Sequence, residues 1–125
     1  MPHAPSRQSL GILGEELACA ELVRRGYAVL ARRHRTRFGE IDIIARREGV
    51  IAFVEVKARR TASRGAAVDA VTSRKRRRIA AMALDYLAWT QRLNHPCRFV
   101  VVAIDGMDTG RQTVQVIEDA WTVDT

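Results

Sequence analysis

The order of apolar and polar positions predicts two helices and five strands along the 125-residue chain. Apolar residues at helical spacing predict a first helix from Ser9 to about Arg25, with Gly26 at the position that ends it. A longer helix is predicted from about Ser73 to Leu93. Strand patterns fall at 27–33, 40–46, 50–58, 98–104 and 113–117. This order, α-β-β-β-α-β-β, predicts an α/β fold with a mixed central sheet of about five strands flanked by helices.

The length of the chain fits one domain, which we expect to span residues 9–125. Residues 1–8 contain two prolines and are expected to fray. The inner face of the long helix is predicted to consist of Ile79, Met82, Ala83, Tyr86 and Trp89.

Several classes of protein are disfavoured by what the sequence lacks. No apolar run approaches the roughly 20 residues that a membrane span needs, and the first ten residues have no apolar core of the secretory kind. The two cysteines have no C-x-x-C spacing, and the three histidines are scattered, so neither a disulfide nor a zinc site is expected. We expect a cytoplasmic protein without a small-molecule cofactor.

The positive charge is concentrated in the middle of the chain. The net charge is +7, but residues 24–78 alone contain 17 Lys or Arg against 5 Asp or Glu. A field of that sign attracts phosphate backbones, and arginine favours bidentate phosphate contacts. The charge therefore predicts nucleic-acid binding. An acidic protein partner, simple solvation, or an arginine-rich composition that reflects only a GC-rich genome are the alternatives.

Two predicted strands carry charged residues at matching positions. If Glu48-Gly49 forms a two-residue hairpin turn, Asp42 lies opposite Glu55, and Glu40 lies opposite Lys57. Because strand side chains alternate, all four then point to one face of the sheet. A bulge at the turn would shift this register.

The surroundings of these carboxylates indicate a metal site. Both strands are rich in Ile, Val and Phe, which predicts that they are buried, and two facing carboxylates there repel each other and are expensive to desolvate. A hard divalent ion such as Mg²⁺ or Mn²⁺ between Asp42 and Glu55 removes the conflict. Lys57, two residues further along, can stabilise the charge of a reacting phosphate. The alternative is a pair of interstrand ion pairs, such as Glu40 with Lys57.

Each helix supplies one further candidate. Glu15 has Gly11 and Ala18 as small neighbours on its helix, which would let this face approach the sheet so that the carboxylate binds a metal-bound water. An exposed glutamate in the first turn is the alternative for Glu15. Lys75 lies four residues before Ile79 and can point back at the site, although most of the run at 74–78 must be solvated or in contact with phosphate.

In its motifs the sequence resembles the YraN-like uncharacterised protein family, which is itself similar to Holliday-junction resolvases and other restriction-endonuclease-like proteins of the PD-(D/E)xK superfamily. The similarity runs from about Leu10 to Asp105. The matching pieces are Gly14-Glu15-x-x-Ala18, Arg25-Gly26-Tyr27-x-Val29-Leu30, Gly39-Glu40-Ile41-Asp42-Ile43-Ile44-Ala45, Phe53-Val54-Glu55-Val56-Lys57-x-Arg59, Ala70-Val71 with Lys75, and Arg98-Phe99. Val100 follows the last pair where family members often have Asp, so no role is expected for that position.

The resemblance implies a restriction-endonuclease-like core, with acidic site residues at Glu15, Asp42 and Glu55 and the catalytic lysine at Lys57. On this interpretation Mg²⁺ or Mn²⁺ is held by Asp42, Glu55 and the Val56 carbonyl, with Glu40 and Lys75 as secondary candidates. The residues expected to grip the phosphate backbone are Arg59, Arg60, Arg64, Arg74, Lys75, Arg76, Arg77 and Arg78.

The expected activity is metal-dependent endonucleolytic hydrolysis of DNA in recombination or repair, with branched and single-stranded DNA as the candidate substrates. The alternative is a nucleic-acid-binding module that retains the nuclease fold without cutting. An RNA-binding accessory role would leave the facing carboxylates unexplained. Cutting two strands of a branched substrate symmetrically would favour a homodimer.

Overall fold

The computed structural model describes residues 7–60, 71–107 and 110–121, and within them two helices and five strands follow the predicted order. The elements are α1 (Arg7–Arg24), β1 (Ala28–Thr36), β2 (Gly39–Arg47), β3 (Val50–Ala58), α2 (Ser73–Trp89), β4 (Cys97–Asp105) and β5 (Thr113–Ile117). The strands form one mixed sheet in the order β1-β2-β3-β4-β5. Strands β3 and β4 are parallel and all other neighbours are antiparallel. The α/β fold predicted from the sequence is therefore confirmed.

The turn between β2 and β3 produces the predicted register in the half of the hairpin that lies next to the turn. Glu48 and Gly49 both have positive φ, at 53° and 79°, as a type I′ turn requires. Arg47 pairs with Val50, and the ladder continues without a shift to Ile43 opposite Val54. The pairing ends there, which determines the geometry of the site.

The two helices cover opposite faces of the sheet, and each face has its own apolar cluster. The cluster under α1 includes Leu22 and Val54, and the cluster under α2 includes Phe53 and Met82. Strands β3 and β4 are the central strands of both clusters, because their alternate residues are apolar on both faces. This two-sided burial explains why these strands read as continuous apolar runs.

The ends of the helices have identifiable causes. After α1, Gly26 has a φ of 94°, and the amides of Gly26 and Tyr27 donate to the carbonyls of Val23 and Leu22, as in a Schellman motif. Helix α2 is capped by Thr72, whose hydroxyl accepts a hydrogen bond from the Lys75 amide at 3.2 Å.

Three of the predicted boundaries were wrong. Helix α1 begins at Arg7, two residues before the predicted start, so Ser9 is not the N-cap; residues 1–6 lie outside the described part. Helix α2 ends at Trp89 instead of Leu93, and its core face has Leu87 in place of Trp89, which is 73% exposed. Strand β1 continues to Thr36. Its last residues are mostly basic and have no side-chain pattern typical of a strand, but their backbone is paired with β2.

Neither described helix combines the length and the apolar character that crossing a membrane requires.

Candidate functional site

Asp42 lies where the pairing of β2 with β3 stops. Its Oδ2 atom accepts a hydrogen bond of 2.8 Å from the Val56 amide, so a side-chain carboxylate takes the place of a backbone carbonyl in the ladder. The predicted extension of the register, with Asp42 facing Glu55 and Glu40 facing Lys57, was therefore wrong. The carboxylate instead bridges the two strands at the point where they separate.

The neighbouring strand is irregular at the same level. Arg33 has a φ of 50°, a left-handed conformation that is uncommon for arginine, and it interrupts the regular pairs of β1 with β2. At the same level of β2, Ile41 packs in the α2 cluster while Ile43, two residues later, packs in the α1 cluster. The irregularity leaves Asp42 between the two faces of the sheet.

Glu55 is a buried carboxylate on β3, only 8% exposed. It has Phe53 two residues before it, so alternation places its side chain on the face covered by α2. The ammonium group of Lys75, in the first turn of α2, forms an ion pair with its Oε1 atom. The Thr72 cap fixes that turn, and thereby positions the lysine over the carboxylate.

Glu15 reaches the same region from α1 and is also 8% exposed. A Cβ atom on Gly14 would lie 2.9 Å from the Cβ of Ala58, so the glycine is what allows α1 to approach β3 this closely. The Glu15 Oε2 atom pairs with the Arg33 guanidinium at 2.7 Å, and its Oε1 atom is buried without a hydrogen-bond partner. One carboxylate oxygen of Glu15 is thus held by Arg33, and the other is available to accept a hydrogen bond.

The three carboxylates act on one another electrostatically. Burial, followed by the negative charge of Glu55, raises the pKa of Asp42 to about 7, and Glu15 adds to the rise. The Val56 amide and the positive charge of Lys75 oppose it. A pKa this far above the usual value for Asp marks a site where negative charge is under-compensated.

The donor set fits a divalent ion that is completed by water and substrate. Asp42 and Glu55 offer two carboxylates, and Mg²⁺ is usually bound through one or two carboxylates with waters and substrate phosphates in the remaining positions. In residues 7–60, 71–107 and 110–121, no three His, Cys, Asp or Glu side chains converge as a self-sufficient metal site. The unpartnered Oε1 atom of Glu15 is suited to accept a hydrogen bond from a water molecule at such an ion.

Comparison with known proteins identifies the family. The model of the "Uncharacterised protein family UPF0102" matches residues 14–104. The chain belongs to this family. A UPF0102 protein of Symbiobacterium thermophilum is 43% identical over 112 residues, which cover 90% of this chain and 95% of the relative. Another, of Desulfosudis oleivorans, is 43% identical over 115 residues, covering 92% and 91%, and one of Mesorhizobium japonicum is 56% identical over 73 residues, covering 58% and 57%.

The region that matches the UPF0102 model contains the candidate site. It begins at Gly14, the residue that lets α1 approach the sheet, and ends at Ile104 of β4. Glu15, Asp42 and Glu55 all fall inside it. The resemblance to the YraN-like family that the motifs indicated is confirmed by this match.

Glu40 and Lys57, two further predicted site residues of this UPF0102 protein, have different surroundings. Glu40 is exposed and pairs with Arg35 across β1 at 3.5 Å instead of with Lys57. Lys57 is partly buried and follows Glu55 on the same face of β3 by alternation. The lysine that contacts Glu55 is Lys75.

The arginines predicted to grip phosphate fall into different groups. Arg74, Arg77 and Arg78 are exposed on α2. Arg76 instead donates to the Val71 carbonyl at 2.9 Å, with its guanidinium 5.5 Å from the centroid of the Trp121 ring.

The remaining predicted phosphate contacts are near the end of β3. Arg59 donates to both carboxylate oxygens of Asp105, at 2.6 and 3.0 Å. Arg60 is partly buried, and Arg64 lies outside the described residues.

Two residues that shape the site of this UPF0102 protein were missed in the sequence. Gly14 could have been found, since it opens the Gly14-Glu15-x-x-Ala18 motif, whereas a Cβ atom on Gly11, the glycine expected in that role, would have nothing within 4 Å. Arg33 could not have been found from the sequence, because it is one of several arginines in β1 and only its backbone conformation distinguishes it.

Proposed function

We propose that this protein hydrolyses phosphodiester bonds of nucleic acid, with DNA as the substrate and with Mg²⁺ or Mn²⁺ as the cofactor. The observation that carries the proposal is the position of Asp42 beside Glu55 in a buried break of the sheet, where the pKa of Asp42 rises to about 7. Buried carboxylates that share insufficient positive charge are expensive to maintain for stability alone. A function that requires a cation at this point explains them.

The residues of the proposed site have different roles, which follow from their positions. When bound, a divalent ion polarises a phosphate oxygen and lowers the pKa of a coordinated water. Asp42, Glu55 and the carbonyl of Val56 are the groups that would hold it. Glu15, fixed through Oε2 by Arg33, orients a water through its free Oε1 atom.

The lysines supply positive charge for the phosphate. The ammonium of Lys75 lies at Glu55, and a charge there stabilises the additional negative charge that develops on phosphate during attack. Lys57, on the same strand face, is the second candidate for this role.

The basic surface supports a nucleic-acid substrate. Arg74, Arg77 and Arg78 are exposed in the first half of α2, beside the lysine that contacts Glu55, and such a cluster favours a polyanion. DNA in preference to RNA, the role in recombination or repair, and a homodimer on branched substrates rest on the resemblance to Holliday-junction resolvases.

Purified protein tests the proposal directly. With Mn²⁺ it should cut branched, single-stranded or duplex DNA, and chelation with EDTA should stop the reaction. Asp42→Asn and Glu55→Gln should abolish cutting while DNA binding remains. Glu16→Gln is the matched control, because Glu16 is an exposed neighbour of Glu15 outside the cluster. Cutting that persists in both site variants would come from a contaminant and would refute the proposal.

A second candidate function is a DNA-binding module that does not cut. It is favoured by the ion pair in which Lys75 already supplies Glu55 with a positive charge. In that case DNA binding should be salt-sensitive, no substrate should be cut, and Mn²⁺ should leave the melting temperature unchanged. A rise in melting temperature with Mn²⁺ that Glu55→Gln abolishes would favour the first function.

A further inference from the structure

An aromatic surface lies away from the carboxylate cluster, at the C-terminal end of α2. Trp89 is 73% exposed. Its ring stacks on His34 of β1, with centroids 6.0 Å apart and planes at 29°, and His34 in turn meets Tyr86 edge-on at 5.2 Å. An indole that is held by a partner on one side and open to solvent on the other is a preformed stacking surface.

The charges around this surface favour a nucleobase over a phosphate. A cavity of about 280 Å³ here is lined by His34, Arg35, Asp85, Tyr86 and Trp89. The Asp85 carboxylate repels phosphate but accepts hydrogen bonds from the amino or imino groups of a base. Arg35, which also lines the cavity and pairs with Glu40 at 3.5 Å, offers a cation for the sugar-phosphate backbone or for stacking.

The turn between β1 and β2 adds an aromatic and a cationic side chain close to α2. The turn between β1 and β2 carries Phe38, which is exposed and has the Arg37 guanidinium 4.8 Å from its ring centroid. Gly39 in the same turn packs near Arg78 of α2. Since α2 rises about 1.5 Å per residue, Trp89 lies roughly 20 Å from Lys75 along the helix. A few nucleotides of an extended strand span that distance.

We propose that Trp89 and His34 form a stacking platform for an unpaired base of the DNA strand whose backbone lies along α2. The proposal rests on the proposed function and names its substrate class: DNA with an unpaired segment a few nucleotides from the bond that is cut. In duplex DNA every base is already stacked between its neighbours, so the platform contributes only where bases are unpaired.

Three fluorescein-labelled probes of equal length test the platform in EDTA at one fixed salt concentration. They are an oligothymidylate, the same strand with abasic sites in place of its bases, and a blunt duplex. Fluorescence anisotropy should show that the wild-type protein binds the oligothymidylate about tenfold more tightly than the abasic strand. Trp89→Ala should bind these two equally, and Trp89→Phe should restore most of the difference.

Leu84→Ala is the matched control, because Leu84 is an apolar residue of α2 that is 60% exposed and does not line the cavity. This variant should keep the wild-type preference for bases. If Trp89→Ala also keeps it, the platform is refuted while the proposed function stands. If the wild-type protein binds none of the probes, both the stacking platform and the proposed function are refuted. A change of sedimentation coefficient in Trp89→Ala without any change in base preference would assign the surface to a second copy of the chain and overturn the proposal.

Discussion

The ammonium of Lys75, in the first turn of α2, forms an ion pair with the carboxylate of Glu55 on β3. The lysine is one of two cations paired with the three carboxylates, the other being Arg33 at Glu15. Lys57, which the motif predicted as the catalytic lysine, lies two residues beyond Glu55 on the same strand. The pair ties the N-terminal end of α2 to the break in the sheet. Much of the behaviour of the site should therefore depend on Lys75.

Replacing Lys75 by Met should destabilise the protein at neutral pH by about 1–3 kcal/mol, because Glu55 is left buried without its cation. Mn²⁺ should raise the melting temperature of this variant more than that of the wild type, since the ion replaces the missing charge. Arg74→Met removes a neighbouring exposed cation and serves as the control. Equal responses to Mn²⁺ in the wild type and Lys75→Met would contradict the expectation.

The raised pKa of Asp42 should make stability depend on pH. The folded state holds the proton of Asp42 up to a pH of about 7, whereas the unfolded chain releases it near 3.8. The contribution of this group to stability is complete below the lower value and is lost as pH rises toward 7, with a slope of at most about 1.4 kcal/mol per pH unit.

Asp42→Asn should remove this part of the pH dependence, because the amide oxygen can still accept from the Val56 amide without titrating. Denaturant unfolding of both proteins between about pH 4 and 8 gives the difference curve. Carboxylates whose pKa is lowered in the folded state contribute equally to both curves and cancel in the difference. Glu118 is an example, because its pKa is lowered, first of all by the hydrogen bond from Tyr27. Parallel curves for the two proteins would show that Asp42 has an ordinary pKa.

The two glycines of α1 should respond to alanine in opposite directions. Gly14→Ala places a Cβ 2.9 Å from that of Ala58, so α1 must shift, at a cost of about 1–3 kcal/mol before the gain in helix propensity. Gly11→Ala meets nothing within 4 Å and should stabilise the helix by roughly 0.5–1 kcal/mol. Thermal unfolding measures both, and stabilisation by Gly14→Ala would show that α1 is not packed as described.

The exposed arginines of α2 should govern the salt dependence of DNA binding. Arg77→Gln and Arg78→Gln should each weaken binding and lower the slope of log affinity against log salt by about one. Arg24→Gln, nine residues beyond Glu15 at the end of α1, removes an exposed cation elsewhere and should change the slope little. The same loss in all three variants would mean that only the net charge matters.

Most of the fold could be predicted because local pattern and long-range packing agree. Strands β3 and β5 have the predicted bounds, and the Glu48-Gly49 turn fixes the register from Arg47–Val50 to Ile43–Val54. The predicted core face of α2 is correct except at the C-terminal end of the helix. Trp89 continues the helical spacing of the apolar residues, but the helix ends with it, and there it stacks on His34 at the surface.

The residues of the candidate site were predicted, but the arrangement in which the structure brings them together was not. The motif gave Asp42 and Glu55, and it also gave Glu15 by resemblance. It could not show that Asp42 replaces a backbone acceptor, because a side chain that enters the ladder ends the alternation on which the facing pairs were based. Nor could it choose between Lys57 and Lys75, since that depends on how closely α2 packs over β3.

The hydrogen bond from the Val56 amide to Asp42 has a practical consequence. Where β3 is paired with β2 and β4, backbone groups are bonded to backbone, whereas the Val56 amide is bonded to a group that can titrate and that is predicted to bind metal. Its NMR chemical shift and its rate of deuterium exchange should therefore follow the ionisation of the site in the protein alone. One backbone resonance thus provides a direct signal of protonation or metal binding in the absence of any substrate.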